Sequence, residues 1–539
     1  MSSPRIPMRG LDRVVLIFTC AVLLPTLGYP LFALGLAFFQ VTDHADYLTL
    51  ATWRTVGNTL LLGLASVLGS GLVGSALALF LARYRFVGRD WLATAAYLPL
   101  TLPPLVGTLA FYYLIGRDGV FSRIAQSRLG VDLLMPPFVA VLVVHVYSFY
   151  VFFYALVLSA RESLDETLSE AARTLGATRA QVFYRVTLPL LRPALKNAAV
   201  LTFMASCASF SAPYFFGQGF TVLSVRIYEA REQFHEEAAV VYTVLLAALS
   251  LSSLWLVRRH GAYTVAGRKG TPRALRAGPA RFLASVAAYF LTVLLLLPHF
   301  ALLWLSLTDY RAWQTGLVPT QFTWQNYIQL FSRREVLQPF VNSLWMSALG
   351  AGAALVVGTA VGYLYGRRRP GGALVHAFVM IPWALPGSVL AVNLITAFNT
   401  AYFSLYTTVW LLPMAYFLRE VPLMTRVATA AIQTFDVSLI EAARVLGASP
   451  WRAVVRVALP LLAPALLAGF SLCFTSALGE FVASILLFQP SNIPVSVRMY
   501  MDWRGDVGLS AAQGVLLVVL MGAALFVARR SRDLTLPTG

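Results

Sequence analysis

Three ionisable residues stand inside apolar stretches, where charge is expensive. Arg419 and Glu420 lie in AYFLREVP (415–422), and Glu480 lies in LGEFVASILLF (478–488). Groups at such depth pair with one another or face a polar pathway. An Arg419 pair with Glu480 or Glu420 would lock two apolar segments together. Carboxylates beside tyrosine oxygens would equally suit a route for a hard cation or for a cationic organic molecule. His145, near Tyr147 and Tyr150, is a candidate for the same polar lining or for a hydrogen-bonded structural role. Cys20, Cys207 and Cys473 sit in apolar segments without ligand spacing and read as packing residues. No metal ligand set is assigned, and the few buried charges do not assemble a catalytic constellation.

The elements that must hold these residues are set by composition. The chain has 539 residues, 58% hydrophobic and 12% charged, with net charge +18 and mean hydropathy +0.72. That excludes a soluble multidomain protein and predicts an all-α polytopic membrane protein. Twelve segments are long enough to cross a bilayer core of roughly 20 residues: 14–39, 56–81, 91–115, 137–158, 197–217, 238–257, 282–307, 341–365, 373–397, 407–428, 461–488 and 509–528. Basic residues, including Arg258-Arg259, Arg367-Arg368-Arg369 and Arg529-Arg530, gather on the side of the termini. The positive-inside rule therefore places both termini in the cytoplasm and explains the charge without nucleic acid. Arg5, Arg9 and Arg13 precede a run too long for a signal peptide, so an uncleaved first span is expected.

The chain repeats itself. Residues 170–195, EAARTLGATRAQVFYRVTLPLLRPAL, and 441–466, EAARVLGASPWRAVVRVALPLLAPAL, agree at 16 of 26 positions. Each copy predicts a short helix ended by a left-handed glycine, Gly176 or Gly447, then an N-cap, Thr178 or Ser449-Pro450, and a second helix disturbed by prolines. Further matches extend the repeat. Asn58-Thr59 answers Asn342-Ser343, Leu98-Pro99 answers Ile381-Pro382, and Ser-Val-Arg-Ile-Tyr228 answers Ser-Val-Arg-Met-Tyr500. The late offset of 271 puts Ser209 opposite Glu480, so the carboxylate belongs to the second half alone. Six spans per half restore the starting side, giving two parallel six-helix halves. The expected domains are 1–257, a Gly- and Pro-rich basic linker at 258–281, and 282–539. A segment at 308–340 carries Trp313, Trp324, Tyr327 and Phe331, which suit a membrane interface or the partner half.

Both copies of the opening device follow a span on the cytoplasmic side. Glu170-Ala171-Ala172, Gly176 and Leu188-Pro189, and again Glu441-Ala442-Ala443, Gly447 and Leu459-Pro460, resemble the EAA loop of ABC importer permeases. The chain resembles two such subunits fused, with a type I importer fold. The resemblance implies that each loop docks one of two copies of a separate ATPase subunit, which holds ATP and Mg. It also implies a substrate-binding protein outside a bacterial inner membrane. This chain itself has no G-x-x-x-x-G-K-[ST] phosphate loop, since Gly261 to Gly267-Arg-Lys has the wrong spacing, and no bound cofactor is expected. AYFLREVP and LGEFVASILLF look most like the ferric-iron group, with thiamine, polyamine or phosphonate as other cargoes. An ion-gradient-driven secondary transporter is the competing class, because it too can have parallel six-span halves. Arg226, Tyr228, Arg498 and Tyr500 fall on the outer side, as candidates for contact with the binding protein or as snorkelling anchors.

Overall fold

The computed structural model describes residues 9–117, 119–132, 135–257, 273–274, 278–309, 321–400 and 404–535. Among these, eight helices are long and apolar enough to cross a membrane, or ten if two bent pairs each count as one crossing. The structure departs from the expectation of twelve apolar spans on two points. The third and ninth spans are the bent pairs, Arg89–Thr101 with Pro104–Leu129 and Gly372–Ala384 with Gly387–Phe398, turning by 108° and 110°. Proline drives both bends: the residue before it is pushed out of the helical region, and Leu102 and Leu385 take ψ of 119° and 128°. The fifth and tenth spans are helices, Leu188–Ala208 and Leu411–Thr434. They are too polar to qualify as apolar crossings, carrying Arg192 and Lys196 in one and Arg419, Glu420 and Arg426 in the other.

Two compact units form, residues 43–326 and residues 1–42 with 327–539. Neither is a contiguous copy of the repeat, because each contains the first span of the other half. In the unit of residues 43–326, Pro279–Ser306 packs on Arg89–Ala95 and Pro104–Ile115. Tyr147 donates to the Leu295 carbonyl at 2.9 Å, and Thr101 meets His299 at 3.0 Å. In the other unit, Arg9–Leu23 packs on Arg334–Gly366 and Gly372–Val379. There Tyr363 donates to Asp12 at 2.8 Å, Arg369 faces Asp12 at 3.4 Å, and Tyr29 donates to the Ala397 carbonyl at 3.2 Å. Compaction thus divides the chain differently from the duplication boundaries at 257 and 282.

The heart of each unit is the crossing of its second- and fourth-span helices: Leu50–Arg83 against Pro137–Ser163, and Arg334–Gly366 against Leu411–Thr434. A glycine sets how closely they approach. A Cβ on Gly74 would collide with the Tyr150 carbonyl, and one on Gly358 would stand 2.9 Å from Met424 Cβ and 3.0 Å from Thr425 N. Gly74 and Gly358 are 284 residues apart, so one packing solution recurs in both units. The sheet content among the described residues is one two-residue parallel pair, Tyr84–Arg85 with Arg273–Ala274. The rest of the expected linker up to residue 277, and Trp313 of the expected interfacial segment, lie outside the described residues. Trp324 and Phe331 are exposed, and Cys207 and Cys473 are buried free thiols.

Candidate functional site

The two EAA loops are built alike. Asp165 and Asp436, 271 residues apart, each accept a backbone N–H at 3.0 Å, from Thr167 and Ser438, at the start of Glu166–Thr174 and Ser438–Val445. That bond holds the exposed Asp436 carboxyl below its ordinary range. Gly176 and Gly447 then take φ of +86° and +87°, the left-handed turn expected of them. The turn lets Ala177 and Ala448 donate back to the carbonyls of Ala172 and Ala443, both at 3.0 Å. The small residues of each EAA triplet therefore sit where the helix closes on itself.

Thr178 forms a capping box with Gln181, and Ser449 accepts from Arg452 N ahead of Pro450. One widened turn follows in each copy, Phe183–Thr187 and Val454–Ala458. Both end two residues before a proline, Pro189 or Pro460, as does a third such turn, Leu24–Gly28, before Pro30. A proline cannot donate to the carbonyl four residues back and its ring crowds that group, so widening the turn relieves the clash. Glu170, Ala171, Glu441 and Ala442 point to the surface. Beside them Leu175 is 89% exposed and Val445 and Leu446 are each 87% exposed. Apolar side chains this open at a helix end are suited to burial by another molecule.

The intramembrane residues form two equivalent clusters, each inside one unit. In residues 43–326, the Nδ1 of His145 lies 2.9 Å from Ser66 and 3.1 Å from Ser206, while Nε2 lies 2.9 Å from Ser209. In the other unit Arg419 Nε stands 3.3 Å from Glu480, whose second oxygen accepts from Ala483 N at 3.0 Å. Arg419 also donates to the Leu385 carbonyl at 3.2 Å, at the bend before Pro386. The 271-residue offset makes His145 answer Tyr416, Ser148 answer Arg419 and Ser209 answer Glu480. One junction is made from an imidazole and three serines and its sister from an ion pair. Glu420 turns elsewhere and accepts from Ser476 at 2.7 Å, and Tyr416 meets Ser484 at 2.8 Å.

Both clusters sit at a break in the fifth span of their half. Leu188–Ala208 stops and Ser211–Phe216 begins around Ser209, and Leu459–Leu478 gives way to Val482–Leu487 around Glu480. The carbonyls freed at Ser209 and Glu480 accept from Ser224 at 2.6 Å and Ser496 at 2.8 Å. Those serines belong to the Ser-Val-Arg-x-Tyr helices, Leu223–Glu232 and Val495–Asp502. Asn58 and Asn342 hold the chain ahead of these helices by donating to the Thr221 and Ile493 carbonyls at 3.0 and 3.1 Å. Thr59 and Ser343 accept from Leu223 N and Val495 N at 3.0 and 2.8 Å. Within the helices, Arg226 pairs with Glu229 at 3.3 Å and Arg498 with Asp502 at 2.9 Å. Tyr228 is buried with its ring 5.2 Å from Phe210, and Tyr500 lies 5.7 Å from Phe481.

Sequence alone gives the Asn58-Thr59 and Asn342-Ser343 pairs only as markers of the repeat; their hydrogen bonds make them part of the junction. Arg426 escapes it as well, although a second cation seven residues after Arg419 on one helix is a readable signal.

The family model described as "Binding-protein-dependent transport system inner membrane component" matches this chain twice, at residues 71–262 and 353–534. The chain is 29% identical over 508 residues to "Probable ABC transporter permease protein y4fN" of Sinorhizobium fredii, covering 90% of this chain and 88% of that one. It is 27% identical over 496 residues to "Ferric transport system permease protein FbpB" of Actinobacillus pleuropneumoniae, covering 88% of this chain and 70% of the relative. It is 33% identical over 220 residues to "Molybdenum transport system permease protein ModB" of Escherichia coli, covering 39% of this chain and 96% of that one.

Proposed function

The chain belongs to the family of binding-protein-dependent transport system inner membrane components and is an ABC importer permease; on that premise we propose that its cargo is ferric iron. The observation that supports the cargo is that likeness to a chain named as a ferric permease runs through both halves, 88% of this chain; the molybdenum permease, matched over 96% of its own length, is a shorter chain that answers to 39% of this one. In this reading each exposed loop, through Glu170, Ala171, Ala172 and Gly176 or Glu441, Ala442, Ala443 and Gly447, receives one copy of an ATPase subunit. ATP and Mg are held by that partner. The loop side and both termini are cytoplasmic, and a binding protein delivers cargo at the opposite face, meeting the helices Leu223–Glu232 and Val495–Asp502 that carry Arg226, Tyr228, Arg498 and Tyr500.

The geometry supports a simple transmission. A docked loop helix leads through its left-handed glycine and widened turn directly into the fifth span, whose break carries Ser209 or Glu480. Rigid-body motion at the loop therefore reaches the break as movement of one helix rather than being absorbed by a flexible link. His145, Ser209, Arg419 and Glu480 fix the break to the fourth span, and Glu420 holds the adjoining turn of the same span.

The test is uptake in cells lacking this chain and in the same cells complemented with it. Loss of radiolabelled Fe(III) uptake on deletion, restored by the wild type, is expected, together with dependence on ATP and the cognate ATPase. Unchanged iron uptake with loss of thiamine, polyamine, phosphonate or molybdate uptake would reassign the cargo. Uptake that survives ATP depletion and collapses with the ion gradient would sink the ATP-driven mechanism.

A further inference from the structure

The duplication provides an internal comparison: a residue whose counterpart in the other half has different chemistry is not required by the helical frame that the two halves share. Four residues of the unit formed by 1–42 and 327–539 differ from their counterparts together. The Arg426 guanidinium lies 4.7 Å from the centre of the Trp383 ring, and the helix Gly372–Val379 that carries His376 packs on the helix Leu411–Thr434 that carries Arg426. The His376 ring stacks on Tyr365 at 3.8 Å and 15°. At the repeat offsets of 284, 283, 283 and 271, the counterparts of Tyr365, His376, Trp383 and Arg426 are Leu81, Ala93, Leu100 and Ala155. The sister half builds the same helices, glycine crossing and bend from apolar residues at all four places. The cluster is therefore an addition to the fold rather than a condition of it.

Its chemistry and position agree. Among the described residues no carboxylate pairs with Arg426, and Arg426, Trp383 and Tyr365 are exposed. Tyr365 is the penultimate residue of its helix and is followed by Arg367-Arg368-Arg369. Arg426 lies two residues, about 3 Å, inside the expected end of its span at residue 428, a depth from which a long side chain reaches the interface. Alongside runs Arg9–Leu23, seated by Leu16 against Gly371, with Val14 and Ile17 turned outward and exposed as a lipid-facing surface would be. A guanidinium and an imidazole flanked by Trp and Tyr at such a level match a phosphate monoanion at the edge of the hydrocarbon.

We propose that Tyr365, His376, Trp383 and Arg426 form a binding site for the headgroup phosphate of an anionic phospholipid in the leaflet on the loop side. The site rests on the reading that this side is cytoplasmic. Inorganic phosphate offers the same chemistry, so the test separates the two sources. The full chain, in nanodiscs of phosphatidylcholine with increasing phosphatidylglycerol, is compared with a Y365L/H376A/W383L/R426A variant carrying the residues that the sister half already tolerates, and with R426K.

Phosphatidylglycerol is expected to raise the thermal unfolding midpoint of the wild type and to be retained on it in native mass spectrometry. Retention should weaken about five-fold or more in the four-residue variant, which loses the Arg426 cation, with R426K between it and the wild type. Equal phosphatidylglycerol dependence in wild type and variant would overturn the proposal. So would stabilisation by millimolar inorganic phosphate in pure phosphatidylcholine that R426K or the four-residue variant abolishes, since the ligand would then be a free anion. Because the measurement needs neither ATPase nor cargo, its failure leaves the importer reading standing, and loss of the importer reading leaves lipid retention to be judged on its own.

Discussion

At the scale of single residues, the contrast between Arg419–Glu480 and His145–Ser209 separates support from substrate contact. If the ion pair supports the helix break, each charge is needed only because the other is present. R419S or E480S alone strands a charge inside the membrane unit and is expected to destabilise it, by less than the roughly 3–5 kcal/mol of a fully buried pair because the Arg419 side chain is 29% exposed. R419S/E480S restores serines like those of the sister positions Ser148 and Ser209, and it should recover most of the stability and uptake lost in either single variant. The check is a double-mutant cycle on unfolding midpoint and uptake. A double variant as inactive as the singles, yet stable, would make the charges cargo contacts. The sequence aligns Arg419 with Ser148 and Glu480 with Ser209 and leaves the Arg419 partner open between Glu480 and Glu420. Only packing decides it, because Glu420 points from the next helical position toward Ser476.

A second prediction at this scale concerns acid. The Ser438 N–H holds the Asp436 carboxyl below its ordinary range, so its cap is present above the unfolded carboxyl value and is lost as pH falls through the lowered folded value. Amide-exchange protection of Ser438–Val445 should be flat from neutral pH down to about pH 4 and fall only below it. In D436N, whose neutral amide does not titrate there, that acid-induced fall should disappear. A fall beginning near pH 6 would point to another group.

At the scale of elements, the EAA loops were the most legible part of the chain, because capping and left-handed turns are local chemistry. Thr178, Ser449-Pro450, Gly176 and Gly447 all act where their residue types predict. The widened turns before Pro189 and Pro460 were legible only as a disturbance, since a sequence tells that proline breaks the ladder but not how the helix recovers. Gly447 carries a clean test. A Cβ there would meet nothing within 4 Å of this chain, so the strain that G447A adds to the chain itself comes from its φ of +87°, at a cost of roughly 1–2 kcal/mol. G447A should weaken retention of the ATPase and ATP-driven uptake while leaving the transmembrane unit's unfolding midpoint nearly unchanged. G447N, which tolerates the left-handed region, should be milder than G447V. Equal damage from all three would mean that the surface, not the turn, is being read by the partner.

At the scale of the whole molecule, the duplication was readable from spacing, whereas the exchange of first spans was not. Sequence similarity records which half a helix descends from. It carries no signal for which surface that helix covers. The contacts that settle this are single groups scattered along apolar helices: Asp12 with Tyr363 and Arg369, and Tyr147 with the Leu295 carbonyl. Bilayer length and hydropathy likewise cannot tell a straight crossing from one bent at Leu102-Pro103 or Leu385-Pro386.

The exchange makes a prediction about fragments. A polypeptide of residues 43–326 contains every helix of one compact unit, including Pro279–Ser306 that packs on Arg89–Ala95 and Pro104–Ile115. A polypeptide of residues 1–257 follows the repeat boundary, lacks that covering helix and retains Arg9–Leu23 without the Arg334–Gly366 and Gly372–Val379 helices on which it packs. In membranes or detergent, the 43–326 fragment should therefore resist limited proteolysis longer and unfold at a higher temperature, despite having no complete repeat half. Removing Pro279–Ser306 from it should abolish the advantage by exposing the apolar faces that this helix buries. If 1–257 proves the more resistant fragment, the first spans stabilise the halves from which they descend, and the packing that unites residues 1–42 with 327–539 is not what makes either unit stable.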